Sequence, residues 1–432
     1  MFDQDTWVSN PPFFRLFRFN IAVFFAIRSH FTPPQSMTVL PVEKTIVPTT
    51  VDFTKLPSPC FIMEERLLRR NLEKLHYVKE QSGCTLILAL KGFSLYSTFP
   101  MVRQYLDGAT ASSLHEARLC VEEMKTLAHV YAPIYLDAEF EEMLSYACHL
   151  TFNTLNQWER FKNRVTAYEK ETLNKISCGI RINPQYSEVE TEMYNPCVPG
   201  SRLGITADHF GETLPKGIEG LHFHTLCEKD SYTLERTLVH VEAQFGHLLH
   251  QAKWVNFGGG HLITRRDYNP DHLIALIRSF QERYQVEVIL EPGSAIGWQT
   301  GYLLSTVQDI FDSQGIQVAM LDVSFAAHMP DTLEMPYKPR IHHAYQEPIQ
   351  GKPTYRFGGM TCLAGDFMGD YSFDEPLDIG DRVVFDDMMH YTMVKTTTFN
   401  GVHLPSIGVW HEDNYFELLR SYGYETFKDR LG

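Results

Sequence analysis

Between residues 85 and 293 short apolar runs alternate with helical stretches, and that alternation limits the fold more than any other feature of the chain. In order the runs are TLILAL (85–90), GATASS (108–113), AHVYAP (128–133), HLTFNT (149–154), CGIRIN (178–183), GLHFHT (220–225), WVNFGGG (254–260) and VEVILEPG (286–293). The segments between them, such as 113–124 and 155–161, repeat apolar residues at helical spacing and are read as having acidic N-terminal turns. Eight strand–helix units in about 210 residues predict an α/β fold of the (β/α)8-barrel type. A doubly wound sheet rarely repeats so evenly.

Beyond residue 300 the texture changes. Segments 301–308, 317–322, 354–357, 381–385 and 391–400 read as strands with few helices between them, which predicts a second, mostly β C-terminal domain. Residues 57–63 read as an early strand ahead of a helix over 64–81, and we place that strand with the β domain. The expected divisions are an extension over 1–36, a segment over 37–80 that contributes to the β domain, the barrel over 81–298 and the β domain over 299–432. At 432 residues two domains are the natural expectation.

The formal net charge of −15 argues against nucleic-acid binding by bulk charge and is compatible with a cationic substrate. The eight cysteines stand singly, with no Cys-x-x-Cys pair, so neither a zinc site nor a disulfide framework is expected. This usage fits a reducing compartment, the cytoplasm. Residues 1–36 are aromatic and basic, and their apolar core (21–27) is too short to span a bilayer. No small-x-small cleavage site follows it. The extension reads as a disordered or artefactual segment ahead of Met37, with an interfacial anchor as the alternative, and no membrane partner is expected.

Barrel strands deliver their C-terminal ends to one face, where chemistry collects. Lys91 stands there behind TLILAL; an amine held at that mouth loses hydration, becomes a better nucleophile toward an aldehyde, or simply snorkels. Gly258, Gly259 and Gly260 let peptide N–H groups approach an anion without Cβ obstruction, although glycine runs serve tight turns as well. Glu291 leaves a fully apolar strand, so its carboxylate needs a partner, either an N–H of a heteroaromatic ring or a structural cation. Gly293 and Ser294 extend the same nest. His222 and His224 share one face of their strand, compatible with a metal pair or with one imidazole stacked on a flat ligand; no third ligand lies at useful spacing.

In the second domain, Cys362 sits in the glycine-rich stretch GGMTCLAGD, four residues before Asp366. It is either a proton-donating thiol or an inert cysteine. Tyr391 offers a hydroxyl to an anion or fills the core.

Together these pieces resemble the fold-type III pyridoxal-phosphate decarboxylases, which include the eukaryotic-type ornithine and the diaminopimelate enzymes. The resemblance covers about residues 57–420 and rests on LILALKGFS, GATASSLHEARL, SEVETEMYNPCVPGSRLGIT, GLHFHTLCE, VNFGGGHLIT, EPGSAIGW, LDVSFAAHMPDTLEMPYKP and GGMTCLAGDFMGDY. Several of these phrases are similar to the branch acting on carboxylated polyamines.

The resemblance implies pyridoxal 5'-phosphate held covalently by Lys91, with His224 stacked on its ring and Glu291 at its pyridine nitrogen. Gly258, Gly259, Gly260, Gly293, Ser294 and Tyr391 would take the phosphate. Cys362 would act as proton donor in the site of the other subunit of a homodimer, and Arg202 would pair across that dimer with an acid such as Asp366. Asp137, Asp331 and Glu334 are the expected partners of a polycationic substrate's distal amines. Two departures stand out. The family's Glu-Pro-Gly-Arg reads Glu-Pro-Gly-Ser here, and its Cys-Asp or Cys-Glu pair reads Cys362-Leu363. Both weaken an ornithine or diaminopimelate assignment, which remains the nearest rival. A regulatory relative without turnover would be expected to lack Lys91 or Cys362, and both are present.

Overall fold

The computed structural model describes residues 43–432. The expectation for residues 1–36 lies outside them. Eight parallel strands close into a barrel: β2 (Thr85–Ala89), β3 (Gly108–Ala111), β4 (Ala128–Tyr131), β5 (Ala147–Phe152), β6 (Ser177–Arg181), β7 (Gly220–His222), β8 (Trp254–Asn256) and β9 (Glu287–Leu290). The first strand of the chain, β1 (Cys60–Glu64), lies outside the barrel. Closure runs through Thr85↔Ile289 and Leu86↔Leu290.

Local chemistry sets the helices between the strands. The helices Leu155–Thr172, Ser231–Leu249 and Pro270–Tyr284 start where Thr154, Asp230 and Asn269 accept the N–H of Gln157, Thr233 and His272. Inside the barrel, Trp254 occupies space that Gly179 and Gly220 leave, and a Cβ on either glycine would collide with its indole. The glycines in CGIRIN and GLHFHT are therefore packing residues.

The β domain is an eight-stranded sheet. Its strands are β1, β10 (Gly301–Ser313), β11 (Ile316–Leu321), β12 (Thr354–Gly358), β13 (Phe367–Ser372), β14 (Arg382–Asp386), β15 (Ser406–Trp410) and β16 (Phe416–Arg420). β1 runs antiparallel to β10 and parallel to β15, so the segment before the barrel is sewn into the sheet made after it.

The strand expected over 391–400 is a correction. That segment makes one helical turn, Thr392–Lys395, and a 3-10 turn, Phe399–Gly401. Its Thr- and Val-rich composition suits a strand, but tertiary contacts override that preference. The N–H of Tyr391 donates to Gly92 O of the barrel (2.9 Å), and Thr392 Oγ1 donates to Asp331 Oδ2 (2.8 Å). Among the described residues no helix is long and apolar enough to cross a membrane.

Candidate active site

The chain turns sharply after β2, with the N–H groups of Gly92 and Phe93 both donating to Ala89 O (2.9 and 3.2 Å), and the turn sends Lys91 into the barrel mouth. There it lines a small cavity with Thr110, Ser112, Tyr131, Arg181, His222, His224 and Glu291. Lys91 is itself exposed at this mouth, and the protein packed around the cavity, by taking hydration from the amine, is the main cause of its lowered pKa. Glu291 opposes that shift and Arg181 reinforces it. An amine so placed is available as a nucleophile.

Glu291 is buried and accepts Asn256 Nδ2–H at 2.7 Å, while its other oxygen lies 3.9 Å from His222 Nε2. Burial raises its pKa, against the pull of Lys91 and the Asn256 bond. His224 Nδ1 accepts the N–H of Gly259 at 2.8 Å, and burial, with Lys91 and Arg181 nearby, holds both His224 and His222 well below the ordinary imidazole pKa. His224 therefore presents a neutral ring fixed by the glycine loop. With Nδ1 accepting a peptide N–H, the neutral ring carries its proton on Nε2, so neither nitrogen has a lone pair for a metal and the His222–His224 metal pair falls away.

The glycine loop has no room for side chains. A Cβ on Gly258 (φ +70°) would sit 2.6 Å from His224 Cβ, and Cβ atoms on Gly259 and Gly260 (φ +86°) would strike the carbonyls of Glu291 and Leu226. Beside it, Gly293 lies against Gly92, and Ser294 opens the short turn Ser294–Gly297. Tyr391 reaches the same neighbourhood through its bond to Gly92. It sits at φ 39°, ψ −56° in a γ-turn of the rare hand closed by Thr392 N–H on His390 O. Non-glycine residues held in such conformations concentrate at functional sites.

Sequence reasoning missed Asn256, Arg181, Tyr131 and Glu116. Arg181 is buried, packs over the Tyr131 ring (4.7 Å) and donates to His224 O (3.1 Å). Glu116 accepts the N–H of Ser112 (2.6 Å), and burial raises its pKa while Lys91 opposes. The available signal was a polar residue inside an otherwise apolar run, Arg in CGIRIN and Asn in WVNF.

Other expected residues fall elsewhere. Cys362 is exposed on the loop between β12 and β13, its N–H bonded to Asn400 Oδ1 (2.7 Å), and does not line the Lys91 cavity. Arg202 is exposed as well. Asp366 is buried; its oxygens accept the N–H groups of Ala326 and Thr361 (both 3.0 Å) and the Thr361 hydroxyl (2.6 Å). These bonds make it shape the Cys362 loop, and Oδ1, with a single donor, keeps acceptor capacity. Asp137 is a correction, since it lies at the surface paired with Arg160 and Arg164. Glu334 is another, because Lys395 already neutralises it.

Asp331 differs from these two acids. It is buried, Oδ2 accepts Tyr337 O–H (2.6 Å) and Thr392 Oγ1–H (2.8 Å), and Oδ1 has no partner among the described residues. Among the described residues His129, Cys148 and His149 form the one group close enough to suggest a metal. The two imidazoles stack face to face (4.0 Å, 9°), which sends their lone pairs out in parallel and away from a shared point.

A model of the pyridoxal-dependent decarboxylases (C-terminal sheet domain) matches residues 26–389. The chain belongs to the pyridoxal-dependent decarboxylases. Among curated relatives of this decarboxylase is the carboxyaminopropylagmatine decarboxylase of Synechocystis sp., 51% identical over 88% of this chain and 96% of that one. Another is the carboxynorspermidine/carboxyspermidine decarboxylase of Campylobacter jejuni, 42% identical over 88% of this chain and 99% of that one. The crystal structure of the Campylobacter jejuni carboxynorspermidine decarboxylase complexed with norspermidine superposes with a TM-score of 0.79 at 41% identity, covering 87% of this chain and all of that one.

The residues present suit the cofactor that the family uses. A glycine cradle that any Cβ would fill, an amine with lowered pKa and a buried carboxylate meet at one barrel mouth. Bound there, the cofactor supplies an electron sink for decarboxylation.

Proposed function

We propose that this decarboxylase releases CO2 from a carboxylated polyamine and leaves a free aminopropyl end, acting on carboxynorspermidine and carboxyspermidine to give norspermidine and spermidine. The observation that carries this reading is Asp331. A buried carboxylate oxygen without a donor calls for a cation, and the same carboxylate, through Oδ2, holds the hydroxyl of Thr392, the residue after Tyr391. With Oδ2 occupied, a single free oxygen suits an ammonium better than the two-pronged guanidinium.

Each residue then has a task. Lys91 holds the cofactor through its amine. His224 presents its neutral face to the ring, and Glu291 takes the ring nitrogen. Gly258 and Gly259, whose own N–H groups go to Asn256 and His224, let the phosphate approach the loop without a Cβ in the way, while Gly260, Gly293 and Ser294 supply N–H groups and Tyr391 its hydroxyl. Cys362, exposed in its own chain, donates a proton to the reacting carbon in the site of a second copy, in a homodimer. Arg202 lies at that subunit boundary. The eight free thiols support a cytoplasmic setting.

A second reading follows from the Synechocystis relative, whose 51% identity favours a guanidinium-ended substrate, carboxyaminopropylagmatine. CO2 release from carboxynorspermidine, carboxyspermidine, carboxyaminopropylagmatine, diaminopimelate, ornithine and arginine separates the possibilities. The proposal expects kcat/KM highest for an amine-ended carboxypolyamine. A maximum for carboxyaminopropylagmatine replaces it with the second reading, and a maximum for diaminopimelate or ornithine contradicts both.

A further inference from the structure

His222 has a place in the site that its neighbour His224 does not explain. It is the last residue of β7, and strand alternation turns Leu221 toward the helices and His222 into the barrel. The side chain is 1% exposed and forms part of the cavity wall. Among the described residues neither ring nitrogen has a hydrogen-bond partner. Native proteins rarely leave a buried imidazole unsatisfied at both nitrogens, so such a ring signals a partner that approaches when the site is filled.

The surroundings fix which partner that is. Tyr131 holds the ring edge-on (5.1 Å, 64°), and Tyr131 is itself pinned by its hydroxyl on Asn153 Oδ1 (2.8 Å) and by the Arg181 guanidinium over its ring. The charged and titratable groups around His222 are Lys91 from the end of β2, Arg181 from β6, Tyr131 from β4, Glu291 after β9, and the neutral His224 two residues on, whose Nδ1 is taken by Gly259. Two of these are cations, which keep the imidazole neutral with one N–H. Only Glu291 can accept it, and Oε2 stands 3.9 Å from Nε2. Asn256 already holds Oε1 and also accepts the N–H of Gly258, which couples that side of the carboxylate to the glycine cradle.

We propose that His222 is a positioning residue whose Nε2–H closes onto Glu291 Oε2 in the loaded enzyme, so that Asn256 and His222 hold the carboxylate ionised and aimed from both sides. Hydrogen bonds of this kind are often long before a site is filled and tighten afterwards. Two donors favour the carboxylate anion over its acid against the burial that works the other way. An ionised, oriented Glu291 is what a protonated ring nitrogen requires. The inference rests on the cofactor reading given above.

The test compares His222→Phe, which keeps an aromatic ring without a donor, with His222→Gln, which restores an N–H at similar reach. The readouts are the pH midpoint of the visible absorbance of the bound cofactor, cofactor affinity by titration, and the split between kcat and KM. We expect His222→Phe to move the midpoint by about one unit or more, and to lower kcat at least tenfold with KM changed less than about twofold. His222→Gln should recover most of both. If His222→Phe does not fold, His222→Ala with and without added imidazole takes its place, and the imidazole should restore the midpoint. An unmoved midpoint in His222→Phe, or in the His222→Ala that replaces it, overturns the inference. So does a His222→Gln that folds but behaves like His222→Phe, or an imidazole without effect. A wild-type protein with no visible cofactor band would overturn the cofactor reading instead.

Discussion

The backbone N–H of Tyr391 donates to the carbonyl of Gly92 at 2.9 Å, which ties the β domain to the residue following Lys91. The same Gly92 packs on Gly293, where a Cβ would lie 2.9 Å from Gly293 Cα. Backbone against backbone cannot give way without moving the loop. Gly92→Ala should therefore destabilise the fold by about 1–3 kcal/mol and weaken cofactor binding at least tenfold, read by thermal melting and cofactor titration. Unchanged values for both would show that this junction is loose.

Cys362 is expected to serve a neighbouring copy. Cys362→Ala should bind cofactor normally and lose product formation. Co-expressed with Lys91→Ala, it should regain roughly a quarter of wild-type activity, because half the dimers are mixed and each mixed dimer holds one intact site. Mixed dimers with no activity would place Cys362 outside the reaction or within its own chain's site.

Asp331→Asn removes the charge and keeps acceptor capacity for Tyr337 and Thr392. KM for an amine-ended carboxypolyamine should rise about tenfold or more, the scale of a hydrogen bond to a charged group, with a smaller change in kcat. Steady-state kinetics checks it, and an unchanged KM removes Asp331 from substrate binding.

His411 spans the barrel and the β domain, with Nδ1 2.9 Å from Glu65 Oε2 and Nε2 3.1 Å from Glu417 Oε2. Burial alone would lower its pKa, but the two carboxylates outweigh it and the net shift is upward. A group with a raised folded pKa contributes fully below its unfolded value and loses that contribution as pH rises through the folded value. His411→Gln should therefore be less stable than wild type at about pH 6, by about 1 kcal/mol or less for so open a pair, and match it at about pH 9. Denaturant melts at the two pH values decide; a gap that grows with pH contradicts the bridge.

The barrel was legible because each strand must be apolar on both faces, and a polar side chain at a strand end is then conspicuous. Lys91, His224 and Glu291 could be read in that way. Asn256 and Arg181 carried the same signal and were passed over inside their runs. The β domain was less legible. β13 carries Gly369 and Asp370, and β16 alternates weakly, so neither shows a clear period of two. Segment 391–400 has strand composition but is bent by its contacts with Gly92 and Asp331. Asp137 and Glu334 looked available because a carboxylate's partners, here Arg160, Arg164 and Lys395, lie too far along the chain to be foreseen.

The central claim is that Lys91 carries the cofactor at the barrel mouth. Borohydride reduction of the holoenzyme followed by peptide mass mapping tests it directly. A pyridoxyl group confined to Lys91, absent in Lys91→Ala, is the result predicted; modification centred on another lysine, or a Lys91→Ala protein that still retains the cofactor and turns over, would contradict it.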